Sequence, residues 1–170
     1  MKKAVISLLS LGAILLSPIC VQAQESGLID VFQDWSAFAI KQDGKDVCFI
    51  GSEPTKSEGK YTKRGDVMFL VTHRPAEKSV GVINFQTGYT FKADSDGTLI
   101  IDDKSFQLFT DGGDAWARDA KTDKAVIAAM IRGVQMIIKG TSAHGTATTD
   151  TFSLKGFTSA YKVASKACKI

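Results

Sequence analysis

Bulky and small side chains alternate over residues 35–41 (WSAFAIK), and the alternation reads as a β-strand. Asp43-Gly44 follows, a strong short signal for a hairpin turn, and residues 47–50 (VCFI) supply the returning strand. Residues 67–72 (VMFLVT) form a continuous apolar run. The run is too short for a helix of ordinary length and predicts a buried strand that Pro75 ends. Residues 79–85 (SVGVINF) predict another strand, with Gly81 at a bulge. Residues 88–91 read as a short strand or strand entry. Residues 98–101 and 104–110 read as a second hairpin, set between the turns at 94–97 and 111–114.

The period then changes. Residues 122–132 place Val126, Ile127, Met130 and Ile131 on one helical face, with Thr122 or Asp123 as cap and Gly133 as stop. Residues 135–140 and 151–154 return to strand, around a hydroxyl-rich turn at 142–150. Residues 156–168 form a last helix whose apolar stripe is Phe157, Ala160, Tyr161, Ala164 and Cys168. Residues 24–30 read as a loose leader and residues 53–65 as a polar surface loop. Short strands divided by tight turns, with no βαβ rhythm, predict a mainly β fold: an antiparallel β-sandwich or barrel-like single domain with two short α-helices.

The first residues stand apart from this pattern. Lys2 and Lys3 precede an apolar run of about a dozen residues, too short to span a bilayer as a helix. Ser17-Pro18 breaks the run, and Val21-Gln22-Ala23 has the form of a cleavage site. Residues 1–23 are therefore expected to be a signal peptide cut after Ala23, leaving 24–170 as the domain. Pro18-Ile19 before Cys20 does not suit lipidation. The chain carries a formal net charge of +3; without Lys2 and Lys3 the balance is about +1, with both signs interspersed. That distribution lacks the concentrated basic face of a nucleic-acid binder. No later stretch is long and apolar enough for a membrane-spanning helix.

Export changes the reading of the cysteines. Cys48 and Cys168 are an even pair in an oxidising compartment, which predicts a disulfide; the alternative is two separate buried thiols. Other chemistry is thin. His73 and His144 lie far apart in sequence, without an HExxH spacing, and each reads as an exposed polar residue. There is no G-x-S-x-G elbow. The acidic stretches around Asp94–Gly97 and Asp111–Asp114 lack the full ligand set of a calcium loop and read as solvated turns. Lys56, Lys60, Tyr61, Lys63 and Arg64 form a candidate interaction patch for anionic headgroups or an acidic partner, or else a charged, soluble loop. Trp35, Phe69, Phe91, Phe106 and Trp116 are expected in the core. No catalytic residue, metal or cofactor is expected.

Several stretches together resemble the invasion-associated locus B family of Gram-negative bacteria. They are Phe32-Gln33-Asp34-Trp35, Val47-Cys48, Lys63-Arg64-Gly65-Asp66-Val67 and Val71-Thr72-His73-Arg74-Pro75. Gly88-Tyr89-Thr90-Phe91-Lys92, Phe106-Gln107-Leu108-Phe109, Trp116 and Ala128-Ala129-Met130 continue the series. Lys139-Gly140-Thr141-Ser142, Thr149-Asp150-Thr151 and the segment from Leu154 to Ala160, with Cys168, complete it. The resemblance implies an exported, β-rich protein of the periplasm, or secreted or outer-membrane associated, and a link in some pathogens to host-cell entry. It brings no catalytic motif. The expected function is non-catalytic binding of an envelope or host protein or a surface polymer. The alternative is a periplasmic hydrolase or metal-dependent enzyme using His73 or His144.

Overall fold

The computed structural model describes residues 27–170. The expected signal peptide and its cleavage site after Ala23 lie outside these residues. The chain is mainly β. Its strands are β1 (Leu28–Phe32), β2 (Trp35–Gln42), β3 (Lys45–Ser52), β4 (Lys56–Gly59), β5 (Met68–Arg74), β6 (Ser79–Gln86), β7 (Gly97–Ile101), β8 (Lys104–Asp111), β9 (Asp114–Trp116), β10 (Gln135–Thr141) and β11 (Ala147–Ser153). The helices are α1 (Ala120–Met130) and α2 (Phe157–Ala167). All neighbouring strands pair antiparallel, in the order β1-β2-β3-β5-β6-β9-β8-β7-β10-β11-β4.

This sheet folds over on itself without closing into a barrel, since β1 and β4 remain its two edges. The fold line is β8. Its first part, from Lys104 to Leu108, pairs with β7, and its last part, from Phe109 to Asp111, pairs with β9. The two halves then meet face to face, with Phe152 of β11 edge-on to Phe69 of β5 and to Phe85 of β6, centroids 6.1 Å apart in both pairs. Inward positions follow the period of two: Phe69, Val71 and His73 on β5, and Thr148, Asp150 and Phe152 on β11.

Both helices pack against the sheet, α1 on β6 and β8 and α2 on β1, β2, β3 and β5. Trp35, fully buried on β2, packs edge-on to Phe157 of α2 at 4.9 Å and to Phe69 at 6.3 Å. Its indole N–H donates to the Ser153 carbonyl at 2.9 Å, so one side chain joins both halves and a helix. Gly156, with φ +89°, starts α2; a Cβ there would overlap the Phe32 carbonyl oxygen. The α2 stripe is as expected, with Phe157, Ala160, Ala164 and Cys168 buried and Tyr161 half-buried.

Some expectations need correction. The leader runs into β1, held by backbone pairing to β2 although Leu28, Ile29 and Val31 stay exposed. The polar loop contains β4, four exposed residues paired to β11. Residues 147–150, expected in a turn, belong to β11, and residues 88–91 supply only one bridge, Phe91 to Ser142. The cap of α1 is Asp119, whose carboxylate accepts the Thr122 N–H at 2.7 Å. Asp123 instead accepts the Ile83 N–H at 3.0 Å, and burial pushes its carboxyl above the usual range. Trp116 is not in the core. It lies half-buried on the outward face, stacked on Phe109 at 5.4 Å and in one row with Asn84, while its neighbour Ala115 points inward.

Candidate functional site

The cysteine pair is bridged. Cys48 of β3 and Cys168, just past α2, form a disulfide with Cα atoms 5.8 Å apart, and both are buried. The register places His73 directly opposite Cys48 on β5. His73 is fully buried, not exposed as its sequence position suggested. The β5–β6 pairing slips between Thr72 and Arg74, and the resulting bulge turns the Gly81 N–H onto His73 Nδ1 at 3.1 Å. An Nδ1 that accepts a proton donor fixes the neutral tautomer with hydrogen on Nε2. Nε2 therefore donates to the Ser165 hydroxyl, 3.2 Å away, while the ring packs on Tyr161. This is the reverse of what a general base needs to activate a serine.

Burial holds the His73 pKa below its ordinary value. The unfolded chain therefore binds this proton more readily than the folded one. Stability attributable to His73 is complete above the ordinary histidine pKa and is lost as pH falls through it toward the lowered folded value. Denaturant midpoints measured from pH 7 to pH 5 should fall in the wild type and fall less steeply in His73→Asn. Parallel slopes would exclude this histidine as the cause.

The second group of residues forms a cleft. Arg64 points inward from the segment before β5, with its side chain 5 % exposed, and meets Asp150 of β11, which is fully buried. Two parallel bonds join them, Nη1 to Oδ1 and Nη2 to Oδ2, both 2.7 Å, and Nε donates to the Thr87 carbonyl at 2.7 Å. The guanidinium carbon lies 5.0 Å from the Tyr89 ring centre and 5.4 Å from that of Tyr61. Burial opposes the charge on Arg64, but the bonds and attraction of Asp150, with Tyr61 and Tyr89, outweigh it and raise its pKa. Burial also raises the Tyr89 pKa, and its hydroxyl shares a 2.7 Å hydrogen bond with Thr148.

A tight backbone contact brings these segments together. The Gly65 N–H donates to the Gly88 carbonyl at 2.9 Å, and Gly88 has φ +70° with no room for a Cβ beside the Gly65 carbonyl. Three of the stretches quoted above, around Arg64, Tyr89 and Asp150, thus converge. Over them opens a cleft of about 250 Å³, lined by Lys60, Tyr61, Lys63, Ser142, His144, Thr146 and Thr148 among others. The Ser142 hydroxyl accepts the Thr146 N–H at 3.2 Å and shapes the β10–β11 turn that forms one wall.

The candidate patch is accordingly divided. Lys60, Tyr61 and Lys63 border the cleft, while Arg64 lies beneath it rather than on the surface. Lys56 stands on β4, paired with Glu58 at 2.9 Å. His144 is exposed at the cleft, whereas His73 is sealed against α2 and does not line the cleft. Asp150, Tyr89 and Thr148 were not among the expected site residues. The alternation over β11 carried a signal for two of them, because it puts Thr148 and Asp150 on the same face as Phe152. Among the described residues, no group of three or more His, Cys, Asp or Glu is placed to hold a metal ion, and no helix is long and apolar enough to cross a membrane.

Comparison with known proteins sets this geometry in a family. The crystal structure of invasion associated protein b from Bartonella henselae is similar in fold, with TM-score 0.57 and 20 % identity over 82 % of this chain and 96 % of that one. A search of curated proteins finds no match. Residues 35–165 match the family model described as Invasion associated locus B (IalB) protein. That span includes the cleft, Arg64, Asp150 and Cys48, and by it the chain belongs to the Invasion associated locus B family.

Proposed function

We propose that this protein is exported to the cell envelope and acts by non-catalytic binding, with the cleft above Arg64 and Asp150 as its recognition site. The observation that carries the reading is the construction of that cleft. A buried, doubly bonded ion pair fixes its floor, and two further hydrogen bonds, Tyr89 to Thr148 and Ser142 to Thr146, fix its walls. Preorganised walls with Lys60, Lys63 and Tyr61 exposed at the rim suit recognition of a partner that arrives from outside. The amino-terminal segment and the disulfide agree with a compartment beyond the inner membrane, in the periplasm or at the outer surface. The partner is an envelope or host component, and a part in host-cell invasion would follow from the latter. The test is capture from envelope and host-surface fractions by immobilised wild-type protein and by Lys60→Glu/Lys63→Glu. Components retained by the first and lost by the second are expected. Identical capture by both would overturn the cleft as the recognition site.

A further inference from the structure

The cleft also has a chemical preference. Its described lining contains Lys60, Lys63, His144, two tyrosines and the hydroxyls of Thr62, Ser142, Thr146 and Thr148, with Arg64 at the floor; no carboxylate lines it. Asp150 lies below, and Arg64 engages both its oxygens. The face offered to a ligand is therefore electropositive and rich in hydroxyls. Lys2 and Lys3 aside, the basic and acidic residues of the chain nearly balance, so this is a local feature.

We propose that the cleft binds an acidic saccharide, a sugar ring carrying a carboxylate or a phosphate, as one unit of a longer polymer. This rests on the binding role argued above and names its ligand class. Charge complementarity supplies the anionic group, which Lys60 and Lys63 reach from the exposed rim. The hydroxyls both donate and accept, as recognition of a polyol requires. Tyr61, 38 % exposed, offers aromatic surface to the C–H face of a sugar ring. The volume lies somewhat below the roughly 300–1,000 Å³ of sites that enclose a drug-sized ligand, and suits a single ring in an open cleft. A nucleotide fits less well, because the described lining has no Asn or Gln side chain to pair with an adenine edge and no Asp or Glu to accept from cytosine.

Isothermal titration of the purified, disulfide-bonded protein tests this. The probes are hexagalacturonic acid, its neutral methyl ester, mannose 6-phosphate, mannose, ATP and phosphatidylglycerol vesicles. At least one acidic sugar should bind tenfold or more tightly than its neutral counterpart. That affinity should fall with added salt and drop tenfold or more in Lys60→Gln/Lys63→Gln. Equal binding of acid and neutral forms, tighter binding of ATP or of vesicles, or no binding of either acidic sugar would overturn the proposal. Cleft-dependent capture of envelope components alongside failure of both acidic sugars would leave the binding role standing and remove the ligand class alone.

Discussion

Replacing Cys168 by alanine is expected to lower the unfolding free energy by about 4–5 kcal/mol, the chain-entropy value for a loop of this length. The bridge joins residues 120 apart in sequence, and its loss frees the end of α2 from β3. The effect should extend to His73, whose carbonyl lies beside the Cys168 sulfur and whose ring is held by Ser165 and Tyr161 on the same helix. Denaturant titration of the oxidised protein, the reduced protein and Cys168→Ala should give two low, similar midpoints and one high one. Coincidence of all three would mean that the loop constraint contributes nothing here.

Asp150→Ala should be nearly as damaging, at about 3–5 kcal/mol, because it leaves a buried guanidinium without its counter-charge. The Thr87 carbonyl and the two tyrosine rings would still face Arg64, but they carry no net charge to replace the carboxylate. The double replacement Arg64→Met/Asp150→Leu should recover most of the loss, since it removes both charges and fills similar volume. A double-mutant cycle read by denaturant unfolding separates the two effects. If Asp150→Ala and the double variant are equally unstable, the loss arises from β11 packing and not from the stranded charge. The double variant should still bind more weakly, because the arginine also braces Tyr61 and Tyr89.

The parts of the fold legible in the sequence were those where side-chain pattern and turn chemistry agree. The β2–β3 hairpin is one, with Asp43-Gly44 between an alternating strand and an apolar one. The stripe of α2 is another, and Gly81 at its bulge a third. What escaped was structure held by backbone pairing alone. The residues of β4 are Lys, Ser, Glu and Gly, all exposed, and only the ladder to β11 makes them a strand. In β1 Leu28, Ile29 and Val31 face solvent and only Phe32 packs on the core, so no alternating inward face marks it. Arg64 sat in a lysine-rich stretch and looked like its neighbours. Its role depends on an aspartate 86 residues later, a relation that no local pattern contains. His73 was hidden for a related reason, since the groups that bury it come from β6 and α2.

Three closures share one direction in the chain. Residues 56–59 find their ladder at 148–151, Arg64 its counter-ion at 150, and Cys48 its partner at 168. A polypeptide threaded into its folding compartment amino end first would hold the early member of each pair open until residues 148–168 came through. For that interval these three closures would stay unmade, while the β2–β3 and β5–β6 pairings need nothing from the later residues. Locking would come late, once residues 148–168 arrive.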